Sequence, residues 1–144
     1  MSETYRRPQR LRRVQLATPG SSEKMMAKAA ASKADHVFLD LEDAVAPLAK
    51  VEARQKVVKA LNTLDWGKKT RCVRINDLRT KYAYEDIITV VEGARENLDT
   101  IMLTKTLEAS DIKFVATLLS QIEKKLGMTK KIGVEALIEE VQGL

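Results

Sequence analysis

The stretch "HVFLDLEDAV" (36–45) places Asp40 inside an apolar run and follows it with Glu42 and Asp43. Carboxylates are costly to bury without a partner. Three of them at the end of a buried-type strand therefore call for a cation. Further along, "TRCVRIND" (70–77) ends in Arg74, Asn76 and Asp77, "TIMLTK" (100–105) in Thr104 and Lys105, and "KIGVEALIEE" (131–140) in Glu139 and Glu140. Several acids with one arginine, one lysine and a single histidine in the whole chain suit an oxygen-ligated Mg²⁺ better than zinc. The planar guanidinium of Arg74 could grip a carboxylate in a bidentate fork. A metal beside such a clamp suits an oxo-acid whose carbonyl or enolate must be polarised. The competing reading is that these charges pair with one another and merely hold the strand ends together.

The elements that must position these groups alternate along the chain. "RVQLATPG" (13–20) reads as a short strand closed by Pro19 and Gly20, and "SSEKMMAKAAASKA" (21–34) as a helix following two possible serine caps. Strand-type runs recur at 36–43, 70–77, 100–105 and 131–140, although the composition of the last would also allow a helix. Between them, 49–64, 84–98 and 111–127 carry apolar stripes at helical spacing, for example Ile112, Val115, Leu118, Leu119, Ile122 and Leu126. Strand–helix alternation predicts parallel pairing with helical crossovers. Two architectures fit: an open doubly wound sheet, or the first five strands and four helices of a (β/α)8 TIM barrel. No G-x-G-x-x-G follows the first strand, which weakens the dinucleotide-binding version. A whole barrel needs about 250 residues, so the 144-residue chain is expected to be the N-terminal portion of one. In either fold, sites lie at the carboxyl ends of the strands, where the polar residues accumulate. Period-two alternation sets Arg74 and Asn76 on one face and Val73 and Ile75 on the other. His36, at the opposite end of its strand, reads as structural or surface, and Cys72 as a small core residue.

Composition narrows the function classes. The net charge is +5, but five arginines (Arg6, Arg7, Arg10, Arg12, Arg13) lie within the first 13 residues, and the remainder is close to neutral. The expected division is a basic arm over 1–12 and a barrel portion over 13–144. The arm reads as a solvated segment or one that docks on a partner subunit. A whole-domain nucleic-acid surface is not indicated, and the 4% aromatic content argues against base-stacking platforms. No apolar run approaches a membrane span. One cysteine excludes an internal disulfide framework, so a reducing cytoplasm is the expected setting.

The segment "RRVQLATPGSSEKMMAKAAASKADHVFLDLEDAVAPLAKVEAR" carries a Pro-Gly turn, a lysine-rich helix, Asp-Leu-Glu-Asp-Ala-Val, then a lysine and Ala-Arg. With "VRIN", "IMLTK" and "LIEEVQGL" in order behind it, the sequence resembles the HpcH/HpaI aldolase and citrate lyase β-subunit family, nearest its malyl-CoA (β-methylmalyl-CoA) lyase branch. The resemblance implies a (β/α)8 barrel in a homo-oligomer (a trimer or hexamer). It implies Mg²⁺ (or Mn²⁺) and cleavage or formation of a carbon–carbon bond in 3-hydroxyacyl-CoA substrates, giving acetyl-CoA and glyoxylate in the malyl-CoA case. Carried over by motif, Arg74 is the catalytic residue and holds the 2-oxo-acid unit. Glu42, Asp43 and Lys105 border that substrate, and the two acids also support the metal through its waters. Glu139 is a metal ligand, and Pro19, Gly20, Ser22 and Lys28 meet the CoA. A citrate lyase β-subunit or citramalyl-CoA lyase is the alternative enzyme, and a non-catalytic assembly partner the alternative of another class. The family's proline before the strand-four lysine is Thr104 here. The second metal carboxylate belongs to a later strand of the family barrel, so the chain alone is expected to be inactive.

Overall fold

The computed structural model describes residues 4–144; the first three residues of the expected arm lie outside the described residues. Five strands alternate with four helices: β1 (Gln15–Pro19), α1 (Glu23–Ala31), β2 (His36–Asp40), α2 (Lys50–Thr63), β3 (Thr70–Ile75), α3 (Ala83–Ala94), β4 (Thr100–Leu103), α4 (Ala109–Leu126) and β5 (Gly133–Ala136). All neighbouring pairs are parallel and the sheet order is β1-β2-β3-β4-β5. Sequential order with a helix after each of the first four strands is the arrangement of part of a (β/α)8 barrel rather than of a doubly wound sheet, whose strand order reverses at a switch point.

The sheet is strongly curved. In a flat sheet β2 and β5 would stand roughly 14 Å apart, three inter-strand spacings. Instead His36 Nε2 on β2 lies 2.8 Å from Glu135 Oε1 on β5, and Gln15 Nε2 on β1 lies 3.5 Å from Glu135 Oε2. The convex face carries Val37, Leu39, Val73, Ile75, Ile101 and Leu103, all buried beneath the helices. Met26, Ala53, Val57, Ile87, Val90, Val115 and Leu119 meet them from the helix side, so the helices bury most of the apolar stripes their sequence spacing predicts, although Ile112 at the start of the α4 stripe stays exposed. Burial of one such side chain contributes about 1.5–3 kcal/mol.

Local chemistry sets the boundaries. The Ser22 hydroxyl accepts from Met25 N and starts α1. Asp111 accepts from Leu107 N and Glu108 N to open α4, and Gly127, at φ 63°, closes it in the left-handed conformation. The expected strand over 131–140 is shorter, Gly133–Ala136, yet Leu137 N still donates to Leu103 O. The free edge of β4 therefore decides strand over helix for this stretch, whose Glu, Ala and Leu have good helix propensity.

His36 is not at the surface: it is 2% exposed, on the concave face. The described part of the arm pairs with acids of its own chain. Arg10 Nη1 lies 2.6 Å from Asp99 Oδ2, where Arg71 and Lys130 also converge, and Arg12 Nη1 lies 3.8 Å from Glu135 Oε1; just past the arm, Arg13 grips Asp35 through Nε and Nη2. No helix among the described residues is long and apolar enough to cross a membrane.

Candidate active site

At the carboxyl ends of β2, β3 and β4 the expected charges come together. Arg74 Nε and Nη2 donate to Asp40 Oδ1 and Oδ2 at 2.8 and 2.7 Å, and Arg74 Nη1 stands 3.3 Å from Glu42 Oε2. This geometry follows from register, because Asp40 and Arg74 are paired positions on adjacent strands and point to the same face. Asp40 also accepts from Glu42 N and Ala44 N, which folds the acidic loop back over the strand end. Burial raises the Asp40 pKa, but the Arg74 hydrogen bonds and those two amides outweigh it and hold the carboxyl below its usual range. The same pairing with Asp40 raises the Arg74 pKa. The Phe38 ring lies 5.4 Å from the Arg74 guanidinium carbon, closing the site from beneath.

Lys105 joins the remaining acids. Its ammonium donates to Glu42 Oε1, and its backbone N–H donates to Glu139 Oε1 at 2.8 Å. Lys105 adopts φ 48°, the left-handed region that non-glycine residues rarely occupy, and this turn aims both donors at the rim. The hydrogen bond to Glu42 raises the Lys105 pKa. Thr104 gives a physical meaning to the departure from the family's proline: its hydroxyl donates to Glu139 Oε1 at 2.5 Å. That bond leads the effects that hold the Glu139 carboxyl below its usual range.

Glu42, Arg74, Lys105 and Glu139 are thus brought to one mouth. Asp43 stands at its outer edge, with a 69% exposed side chain 3.9 Å from both Arg74 Nη2 and Lys105 Nζ. Asn76 is not part of it. Its amide donates to Asp86 Oδ2 at 2.6 Å within a buried cluster completed by Arg54. Asp77 is occupied by Arg79, and the Glu140 side chain is exposed. Pro19 and Gly20 close β1 beside this rim, with Gly20 N donating to Asp40 O. Lys28 sits six residues beyond Ser22, about 9 Å down α1, against a shallow cavity lined by Leu16, Thr18 and Met25.

Sequence reasoning left Asp40 without a role, although it is the residue that orients Arg74. It also gave none to Lys50, whose ammonium donates to Leu41 O and Glu42 O at 2.8 and 2.7 Å and fixes the acidic loop. The motif lysine and Ala-Arg after the acids, Lys50 and Arg54, were the available signal.

The rim fits a hard divalent cation in its donor types. Glu42 is 7% exposed, and its buried Oε2 accepts no hydrogen bond but has the charged Arg74 Nη1 3.3 Å away. Glu139 supplies a second carboxylate. Mg²⁺ keeps several waters and takes one or two carboxylates, a number these two acids can supply.

Comparison with known proteins then defines the class. Residues 13–144 match HpcH/HpaI aldolase/citrate lyase, and the chain belongs to this family. It is 46% identical over 137 residues to the L-malyl-CoA/beta-methylmalyl-CoA lyase of Cereibacter sphaeroides, covering 95% of this chain and 43% of that protein. It is 36% identical over 119 residues to the citrate lyase subunit beta of Leuconostoc mesenteroides subsp. cremoris, covering 83% and 38% respectively. The chain therefore spans less than half the length of these curated relatives. The M. tuberculosis citrate lyase beta subunit complexed with oxaloacetate and magnesium superposes with TM-score 0.64 at 30% identity, over 90% of this chain and 48% of that one. A citrate lyase from Burkholderia xenovorans LB400 superposes at 0.83 with 21% identity over 97% of this chain and 44% of that one, a shared fold.

Proposed function

We propose that the chain provides the Arg74 side of the active site in a Mg²⁺-dependent carbon–carbon lyase that cleaves or forms malyl-CoA-type 3-hydroxyacyl-CoA. In the cleavage direction the 3-hydroxyl loses its proton and the bond to the thioester α-carbon breaks. Its electron pair becomes the thioester enolate, which takes up a proton to give acetyl-CoA, and glyoxylate leaves. Arg74 has five N–H donors and spends two on Asp40. Of the others, those on Nη1 face Glu42 Oε2 at 3.3 Å and would turn to the oxo-acid oxygens where charge develops. Glu139 and Glu42 would hold the divalent ion, with Asp43 at its waters; the ion, when bound, supplies Lewis acidity toward the oxo-acid oxygen. With Glu42 holding the ion, Lys105 would be released from it and its ammonium would pair with the substrate carboxylate. Pro19, Gly20 and Ser22 border the thioester arm, and Lys28, lower on α1, meets the CoA phosphates. A homo-oligomer is part of this reading.

The proposal is carried by the meeting of Arg74 and Lys105 on a buried Glu42, with Glu139 held beside them by the Lys105 N–H. The resemblance to the Cereibacter sphaeroides lyase supports the substrate type, and the resemblance to citrate lyase beta supports citramalyl-CoA or a related thioester as the second reading. The test is a chimera in which this chain replaces the matching region of the Cereibacter sphaeroides protein. It is assayed with Mg²⁺ against malyl-CoA, β-methylmalyl-CoA and citramalyl-CoA, trapping the released 2-oxo acid. Glyoxylate from malyl-CoA, lost on chelation, is the expected result. Pyruvate from citramalyl-CoA alone would select the second reading, and a folded chimera releasing neither acid would refute both.

A further inference from the structure

The concave face holds a second cluster, lower in the sheet than the rim. His36, Cys72 and Glu135 come from β2, β3 and β5, and their donor atoms lie within 4.8 Å of one another, the one such group among the described residues. His36 is 2% exposed and Cys72 is fully buried. The rim chemistry does not use them: Cys72 precedes Arg74 by two residues, about 7 Å along β3. We propose that His36 Nε2, Cys72 Sγ and a Glu135 carboxylate oxygen form a metal site for a borderline transition ion of the Zn²⁺ or Co²⁺ kind, separate from the oxygen-only rim.

The donor set is one thiolate, one imidazole and one carboxylate, which selects such an ion over Mg²⁺. Donor atoms around tetrahedral zinc lie about 3–4 Å apart, so the present cluster needs only a small opening of the His36–Glu135 contact. The surroundings supply the supporting contacts. Thr100 Oγ1 donates to Glu135 Oε1 at 2.6 Å, fixing that carboxylate. The Gln15 amide lies 3.2 Å from His36 Nδ1; turned over, its oxygen accepts the Nδ1 proton and leaves Nε2 free for the ion. A water completes four-coordination. Arg12 Nη1, 3.8 Å from Glu135 Oε1, has a 53% exposed side chain and can swing aside. A divalent ion with one thiolate and one carboxylate leaves the site neutral, and the Cys72 thiol gives up its proton on binding.

Cobalt tests this without reference to activity. The chelator-treated chain is titrated with Co²⁺ and followed for a near-ultraviolet thiolate-to-cobalt charge-transfer band and the intense visible bands of tetrahedral cobalt. The sequence has one cysteine, so any such band reports Cys72. One ion per chain is expected, bleached by Zn²⁺ but not by excess Mg²⁺. Cys72→Ser removes the charge-transfer band, and His36→Gln and Glu135→Gln each weaken binding by roughly tenfold or more, a loss at least matching that for supporting contacts around a metal. Far-ultraviolet circular dichroism verifies that each variant is folded. A folded wild-type chain without the band would overturn the site. So would one ion per two chains, or unchanged affinity in both His36→Gln and Glu135→Gln.

Discussion

Replacing Asp40 by asparagine probes the contact on which the rim geometry rests. Asp40 is 1% exposed and accepts four hydrogen bonds, two from Arg74 and one each from Glu42 N and Ala44 N. Both oxygens face two donors, so an asparagine NH₂ must oppose a donor whichever way it turns. Breaking a buried charge pair by removing one partner costs about 3–5 kcal/mol. Arg74 is 13% exposed and keeps Glu42 at 3.3 Å, which places the loss near the low end, about 3 kcal/mol. With a urea m-value of about 2 kcal/mol/M the unfolding midpoint falls by about 1.5 M. Trp66 is the single tryptophan and 4% exposed, so its fluorescence follows the transition. In a double-mutant cycle with Arg74→Met, the two changes should couple by about 2 kcal/mol. A midpoint within about 0.3 M of wild type on the same m-value, with no coupling, would refute the claim that Asp40 orients Arg74.

Three further outcomes are expected. Arg74→Lys in the chimera loses the planar fork and should lower kcat/KM by about 2–4 kcal/mol, roughly 30- to 1,000-fold; an unchanged value removes Arg74 from the mechanism. Burial raises the Asp99 pKa, but Arg71 and Lys130 overcome this and hold it well below the usual range. Its stabilisation is complete above the ordinary carboxylate pKa near 3.9 and fades as pH falls below it. The stability gap between wild type and Asp99→Asn should thus be constant from about pH 7 to 5 and narrow below about pH 4; a gap that widens on acidification contradicts the sign. Gly20→Ala would put a Cβ 2.7 Å from both Asp40 O and Val57 Cγ2. Overpacking of this kind costs about 1–3 kcal/mol, read as a lower urea midpoint, and a neutral substitution would show that the β1 turn can give way.

Much of this architecture is written in local pattern. An apolar run marked β2, alternation sorted the faces of β3, and helical spacing marked α2 and α4, because each drives apolar side chains into the same core. The mouth was legible where strand ends carry charge: Glu42, Arg74, Lys105 and Glu139 do meet. What local pattern cannot carry is pairing across the sheet. Asp40 finds Arg74 34 residues away, and His36 finds Glu135 99 residues away, through strand register and curvature. Asn76 shows the opposite failure: its position at a strand end suggested the rim, but Asp86 on the next helix draws it inward. The left-handed turn at Lys105 had no glycine or asparagine to announce it.

In the reading proposed above, Glu42, Arg74 and Glu139 share one mouth that binds a divalent ion and an oxo-acid. Anomalous diffraction from crystals of the protein equilibrated with Mn²⁺ and glyoxylate tests it most directly. A manganese peak between Glu42 and Glu139 is expected, with Lys105 withdrawn from Glu42 and glyoxylate on the Arg74 donors that Asp40 does not hold. Saturating manganese that leaves this position without a peak, while Lys105 stays on Glu42, would contradict it.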